Sequence, residues 1–308
     1  MIFSITIPAY KKAFLKDAIE SCLAQTFDDF ELIIVNDCSP EDLDSVVCLF
    51  NDPRIRYYKN EKNFGAKDVV GNWNRCLDYA TGDFVICMGD DDMLFPNCLE
   101  EYQKAILENP NVDAFHARVL QIDERGKTVK LLPDRADHES LYSFIIHRLE
   151  GRNQYIGDFC FRREKLMAVG KYFYLPYAWG SDDITSYLCA VPNGVVNINK
   201  PEFKYRVSNA TISRSGYTAE KLQSLLDLDK WLKNFAANQQ PKTLVEIEEL
   251  KQVEDLIPKV LAHAQFYTIL PELQWKRYRI IHWFLKRRKY QISFKTLIKL
   301  FLKSLGHK

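Results

Sequence analysis

Three consecutive carboxylates, Asp90-Asp91-Asp92, follow the apolar run Phe84-Val85-Ile86-Cys87-Met88 with only Gly89 between them. Adjacent carboxylates repel one another, and placing them where a buried strand ends is costly unless a cation is present. Mg²⁺ or Mn²⁺ offsets that cost, because a hard divalent ion takes oxygen ligands and commonly joins one or two carboxylates to substrate phosphates. The turn can therefore hold a diphosphate through a metal; the plainer alternative is a solvated acidic turn capping a helix near Asn97. Asp37 follows the apolar strand ending Val35-Asn36. It can accept a hydrogen bond from a base N–H, with Tyr10 stacked on or against that base, or it can cap a helix starting near Asp42. Asp182-Asp183 precede a helical stretch, 184–190. A sugar transfer that inverts the anomeric centre needs a base opposite the leaving diphosphate, and a carboxylate serves; helix capping is again the alternative. Trp179 and Tyr177 beside the pair can stack on an acceptor sugar or fill the core.

The elements that must position these groups alternate. Candidate strands lie at 3–8, 30–36, 55–59, 83–88 and 113–120, with helices at 15–25, 42–51, 68–80 and 97–109 between them. Glu31-Leu32-Ile33-Ile34-Val35 is apolar on both faces, as in a parallel sheet covered by helices on both sides. The expected fold is a doubly wound, mostly parallel α/β sheet with a helical C-terminal extension. Such sheets bind ligands at the carboxyl ends of their strands, where Pro8-Ala9-Tyr10, Asn36-Asp37, 60–65 and 89–92 fall. Asn63, Gly65, Asn72 and Asn74 flank a helix start, where the amides either cap locally or face a nucleotide. Beyond 155 the reading is a short helix to 169, a strand pair at 194–199 and 203–207, and helices from about 219 broken at Pro241, Pro258 and Pro271. The division is 1–215, with halves at 1–120 and 121–215, and then 216–308.

Length and composition fit one sizeable core with a smaller appended region: 308 residues, 47% apolar and 27% charged. The start reads as a buried strand rather than a secretory signal, which places the chain in the cytoplasm. Eight scattered cysteines without a C-x-x-C pair suggest small buried hydrophobes. No apolar run is long enough to span a bilayer, so any membrane association is peripheral. The net charge of +1 hides an asymmetry: eleven Lys and Arg and no Asp or Glu lie in 273–308, leaving 31 basic against 41 acidic residues before them. Apolar residues interleave those lysines and arginines. The tail either lies on an anionic membrane surface or packs its apolar face on the body. The acidic body opposes nucleic-acid binding.

Taken in order, Ile7-Pro8-Ala9-Tyr10, Ile34-Val35-Asn36-Asp37-Cys38-Ser39, Asn63-Phe64-Gly65, Asn72-Trp73-Asn74-Arg75, Gly82-Asp83-Phe84-Val85, Asp90-Asp91-Asp92, Ser181-Asp182-Asp183 and Lys204-Tyr205-Arg206-Val207 resemble a family 2 glycosyltransferase with the A-type nucleotide-sugar fold. The resemblance covers roughly residues 1 to 215. It implies that Pro8, Ala9, Tyr10 and Asp37 line a nucleoside pocket with Asn63, Gly65 and Asn74, and that Asp90 and Asp91 occupy the D-x-D region. Asp91 would be the best metal ligand, with Asp92 beside it, and Mn²⁺ or Mg²⁺ the cofactor. Asp183 would be the base, and Asp182 replaces the family's Glu. Three positions depart from the pattern: Lys11-Lys12 stand for Asn-Glu, Gly89 for the first Asp, and Ser208 for His. The implied partners are a nucleotide diphosphate sugar, a UDP-sugar favoured, and a glycan or lipid-linked acceptor, in cell-surface polysaccharide synthesis. Two rival readings are a nucleotidyltransferase, which would show a Gly-rich loop after strand one, and a non-catalytic nucleotide-binding partner of the same fold. A dehydrogenase is disfavoured, as no G-x-G-x-x-G follows a strand. Gln274-Trp275-Lys276-Arg277-Tyr278 superficially matches the Q-x-x-R-W signature of processive synthases but lies too far downstream.

Overall fold

The computed structural model describes residues 1–207 and 218–305. Among the described residues ten strands form one sheet: β1 (Phe3–Ala9), β2 (Phe30–Asn36), β3 (Ile55–Lys59), β4 (Phe84–Cys87), β5 (Met93–Leu94), β6 (Ala114–Ile122), β7 (Thr128–Leu131), β8 (His138–Glu139), β9 (Phe159–Arg162) and β10 (Val195–Arg206). The order is β3-β2-β1-β4-β9-β6-β10-β5, with β7 on β6 and β8 on β10. Pairings among β1 to β4 are parallel, as is β6 with β10; β9 runs antiparallel between β4 and β6. The short strands β5, β7 and β8 also pair antiparallel, so the sheet is mixed: its longer registers, between β1 and β2, β2 and β3, and β6 and β10, are parallel, and the antiparallel pairings involve β5, β7, β8 and β9.

Helices α1 (Leu15–Leu23), α2 (Asp44–Val47), α3 (Val69–Tyr79), α4 (Cys98–Glu108), α5 (Leu141–Leu149), α6 (Arg163–Ala168) and α7 (Ser181–Ala190) cover the sheet. Strand alternation decides which face each residue serves. Ile5, Ile7, Leu32, Ile34 and Ile86 bury against α1, α2 and α4, while Ile33, Val35, Val85 and Cys87 bury against α3, α5, α6 and α7. This two-sided burial explains why the strands read as unbroken apolar runs.

Four more helices follow: α8 (Thr218–Ala237), α9 (Leu244–Trp275), α10 (Ile280–Lys286) and α11 (Phe294–Leu305). Leu232 of α8 with Val253 and Ile257 of α9 joins the second core, whereas Leu222, Ile269, Leu273, Trp283, Leu297 and Leu300 form a third. The expected boundary at 215 and Ser208 lie outside the described residues.

Two expectations are corrected. The strand pair at 194–199 and 203–207 is one 12-residue strand, because register shifts on either side of Pro201 absorb the residue that cannot donate to the ladder. Pro241 does separate α8 from α9, but Pro258 and Pro271 lie inside α9. Proline's fixed φ suits a helix, and the lost hydrogen bond is outweighed here by packing on either side, at Val253 and Ile257 and at Ile269 to Leu273.

The turn from α7 to β10 depends on Gly194, whose φ is +75° and whose missing Cβ would lie 2.0 Å from the Glu139 carbonyl oxygen. Gly194→Ala is expected to lower unfolding free energy by roughly 2–4 kcal/mol, combining left-handed strain with a backbone collision. Urea unfolding checks this; an unchanged midpoint would show that the turn can relax.

Candidate active site

The carboxyl ends of β1, β2 and β4, the start of α7 and the facing sides of α8 and α9 enclose a cavity of ≈ 1470 Å³. Among its lining residues are Pro8, Tyr10, Asp37, Asn63, Gly65, Asp90, Asp91, Asp92, Tyr177, Trp179, Asp182 and Asp183. Of the residues anticipated for the site, Ala9 and Asn74 are not in the lining. The Ala9 side chain is core, and its carbonyl accepts from the Asp37 N–H at 2.9 Å. Asn74 points elsewhere because both ends of its amide pair with the Tyr172 backbone, at 2.9 and 3.1 Å. Its neighbour Asn72 faces the cavity instead.

Asp37 does not cap α2. Its carboxylate accepts from the Asn60 side-chain amide at 2.9 Å and from the Phe64 N–H at 3.1 Å, and Asn60 donates onward to Asn72 at 3.0 Å. Burial, opposed by those donors, raises its pKa. Gly65, at φ +76°, makes the turn that aims the Phe64 N–H at Asp37.

The acidic turn is not solvated. Asp90 is buried, and its Oδ2 accepts from the N–H groups of Tyr10 and Lys11, both at 2.7 Å. Burial first, and Asp91 second, nevertheless push its pKa up to about 6. Asp92 is buried too, with Oδ1 accepting from the Arg206 N–H at 2.9 Å; burial and then Asp91 hold it well above the usual carboxylate range. Arg206 locks the turn further, donating through Nε to the Asp91 carbonyl at 2.7 Å while its guanidinium lies 4.1 Å over the Phe14 ring. The Asp91 side chain has Lys11 Nζ 3.6 Å away.

Gly89 explains how these acids share the turn. A Cβ there would lie 2.8 Å from Asp92 Oδ2 and 3.1 Å from Asp91 Oδ1. The glycine thus leaves open a cradle between two carboxylate oxygens, which an Asp at this position would fill. An oxygen-only pair of this kind fits a hard divalent cation completed by pyrophosphate oxygens. Among the described residues no group of three or more His, Cys, Asp or Glu is placed to hold a metal unaided.

Asp183 is held from two sides. Arg148 donates from Nε to Oδ1 at 2.6 Å and from Nη2 to Oδ2 at 3.2 Å, and Gln154 donates to Oδ1 at 2.8 Å. Such a fork fixes the orientation of a carboxylate. Asp182, beside it, is pushed up to about 7 by burial first and by the Asp183 charge second. The approach to α7 is strained, with Tyr177 and Ala178 at φ +60° and +55°. Tyr177 donates its hydroxyl to Glu220 on α8, and Lys221 sits 4.7 Å over the Trp179 ring, so α8 helps to set this wall.

Arg148, Gln154 and Lys11 were not anticipated as site residues. Arg148 lies in the last turn of α5 and Gln154 just beyond that helix, where nothing local marks a link to residue 183. Arg206 could have been found, since it belongs to the Lys204-Tyr205-Arg206-Val207 segment already singled out.

Known proteins share parts of this sequence and its fold. The putative colanic acid biosynthesis glycosyl transferase WcaA of Escherichia coli is 38% identical over 104 residues, covering 33% of this chain and 36% of that protein. A GalNAc(5)-diNAcBac-PP-undecaprenol beta-1,3-glucosyltransferase of Campylobacter jejuni is 37% identical over 99 residues, 31% of each. The chain spans less than half the length of the curated relatives it matches. Among solved structures, Staphylococcus aureus TarS in complex with UDP-GlcNAc superposes with a TM-score of 0.68 at 15% identity, covering 99% of this chain and 90% of that one, which establishes the shared fold. The profile of glycosyl transferase family 2 matches residues 4–173, more than half of the chain, and the chain belongs to that family.

Proposed function

We propose that the chain transfers a sugar from a nucleotide diphosphate sugar to an acceptor hydroxyl with inversion, in cell-surface polysaccharide synthesis. The observation that carries this reading is the single cavity shared by Asp37, the 90–92 turn and the 182–183 pair. A UDP-sugar is favoured: Asp37 is fixed by Asn60 and Phe64 in the cavity lining, where its carboxylate can accept a further hydrogen bond from a base N–H, and the similarly folded TarS is described in complex with UDP-GlcNAc. The acceptor is a glycan or lipid-linked glycan, met on the cytoplasmic side at a membrane surface, and Trp179 and Tyr177 offer it aromatic faces.

In this reading Asp91 and Asp92 hold Mn²⁺ or Mg²⁺, which when bound neutralises charge on the departing diphosphate. Asp37 and the Asn60–Asn72 pair orient the nucleoside. Asp90 ties the loop after β1 to the acidic turn, which brings Tyr10 and Lys11 to the donor. The Lys11 ammonium, beside Asp91, adds a positive charge to the phosphate side. Asp183, aimed by Arg148 and Gln154, removes the acceptor proton.

Incubating the protein with Mn²⁺ and a panel of UDP- and GDP-sugars should release one nucleoside diphosphate, and more of it when a glycan acceptor is added. A panel with no release above background, despite intact nucleotide binding, would favour a non-catalytic nucleotide-binding partner of the same fold.

A further inference from the structure

The C-terminal helices present two apolar faces, of which one is covered by the described residues of the fold and the other is exposed among them. On α11, Leu297 and Leu300 are buried in the third core beside Ile269, Leu273 and Trp283. Phe294, Ile298, Phe301 and Leu305, spaced i, i+4, i+7 and i+11, share a second stripe that remains 43% to 58% exposed. Lys295, Lys299 and Lys303 run beside it at i, i+4 and i+8. The stripe continues onto α10 through Phe284, whose ring lies 5.7 Å from that of Phe294, and on to Ile281 and Leu285, 63% and 72% exposed. Arg287 seals the junction, its guanidinium 4.8 Å over Phe284 and 4.7 Å over Phe294. Trp275 and Tyr278, 89% and 70% exposed, stand at the edge where α9 ends.

A contiguous apolar patch of this kind is unusual on a surface that meets only water. Its charge selects the partner. The 273–308 segment carries eleven Lys and Arg and no Asp or Glu, so two copies of the face would set basic against basic. Nucleic acid matches the charge but not the aliphatic stripe. A basic, aromatic-edged helix pair with an exposed apolar ridge suits an interface where anionic headgroups overlie acyl chains.

We propose that the α10–α11 face docks on an anionic lipid bilayer, with Phe294, Ile298, Phe301 and Leu305 entering the acyl boundary and the neighbouring lysines and arginines meeting lipid phosphates. Among the described residues no helix is long and apolar enough to cross a membrane, so the contact is interfacial. This deepens the proposed surface location and is tested without turnover, so its failure leaves the transfer reaction standing.

The test is flotation of the full chain with phosphatidylcholine vesicles, with and without phosphatidylglycerol. The wild type should float with the anionic vesicles only, and less at high salt. Replacing three surface lysines, Lys295→Gln with Lys299→Gln and Lys303→Gln, should cut partition on the order of 100-fold, at about fivefold per basic residue. Ile298→Glu with Phe301→Glu should abolish flotation. Both variants change exposed side chains, and unchanged thermal midpoints verify that they fold. Wild type that fails to float, floats equally on neutral vesicles, or floats undiminished in either variant overturns the proposal. So does a wild-type dimer in light scattering that the same variants dissolve, which would make the face a contact between copies.

Discussion

Asp183→Asn is expected to lower kcat for sugar transfer by about 10²- to 10⁴-fold, the range supplied by a positioned general base, with nucleotide affinity nearly unchanged. The asparagine keeps the shape and removes the proton acceptor. It also leaves Arg148 without its bidentate partner. Because Arg148 is partly exposed, that loss should cost only about 1–3 kcal/mol of stability, readable by urea unfolding. A companion variant, Arg148→Gln, separates aim from chemistry: it should lower kcat less than Asp183→Asn does. Transfer retained at wild-type rate in Asp183→Asn sinks the base assignment.

The same pair sets a pH dependence. Asp182, raised to about 7 by burial and by the charge of Asp183, is mostly protonated below that pH. Its ionisation adds negative charge beside Asp183 and strengthens the pair as a base, so the wild-type rate should rise with pH through about 7. Asp182→Asn should lose that limb. For stability the sign is opposite: the folded state binds this proton more tightly than the unfolded chain, so the Asp182 contribution falls as pH climbs from about 4 to 7.

Asp91→Ala should weaken Mn²⁺-dependent UDP binding by at least about tenfold, or about 1.4 kcal/mol, because a metal bridge loses its protein anchor. Without metal the sign should reverse. Asp91 is then only a negative charge facing a pyrophosphate, and its removal should leave UDP binding equal or tighter. It should also ease Asp90 and Asp92, for both of which Asp91 is the second largest cause of a raised pKa. The apo variant is accordingly expected to be no less stable than wild type. Calorimetry with and without Mn²⁺ reads both signs, and equal losses in the two conditions would assign Asp91 a role other than metal binding.

Much of the donor side was legible because strand-end loops are local. Apolar runs fixed β2 and β3 at their observed limits, and each polar cluster directly after a strand arrived in the cavity. Asn74 misled because two asparagines on one helix start, two positions apart, necessarily face different ways, and only tertiary contact with Tyr172 shows which. The acceptor side was less legible. Asp183 depends on Arg148 and Gln154 from another segment, and the Pro201 strand and the proline-containing α9 are held by packing that local propensity does not register. The tail was open between body and surface because a helix period alone does not tell one apolar stripe from two; burial of Leu297 and exposure of Ile298 divide them.

Helix α9 meets both ends of the molecule's working surface. Leu256, Val260, Ala264 and Pro271 line the cavity, and within one further turn the helix reaches Trp275 at the margin of the basic ridge. At 1.5 Å per residue, 15 residues from Leu256 to Pro271 span roughly 20 Å. If the ridge docks as proposed, a rod of that length would fix the reach demanded of a tethered glycan, and substrates would then be sorted by the length of their spacer as well as by the sugar at its tip.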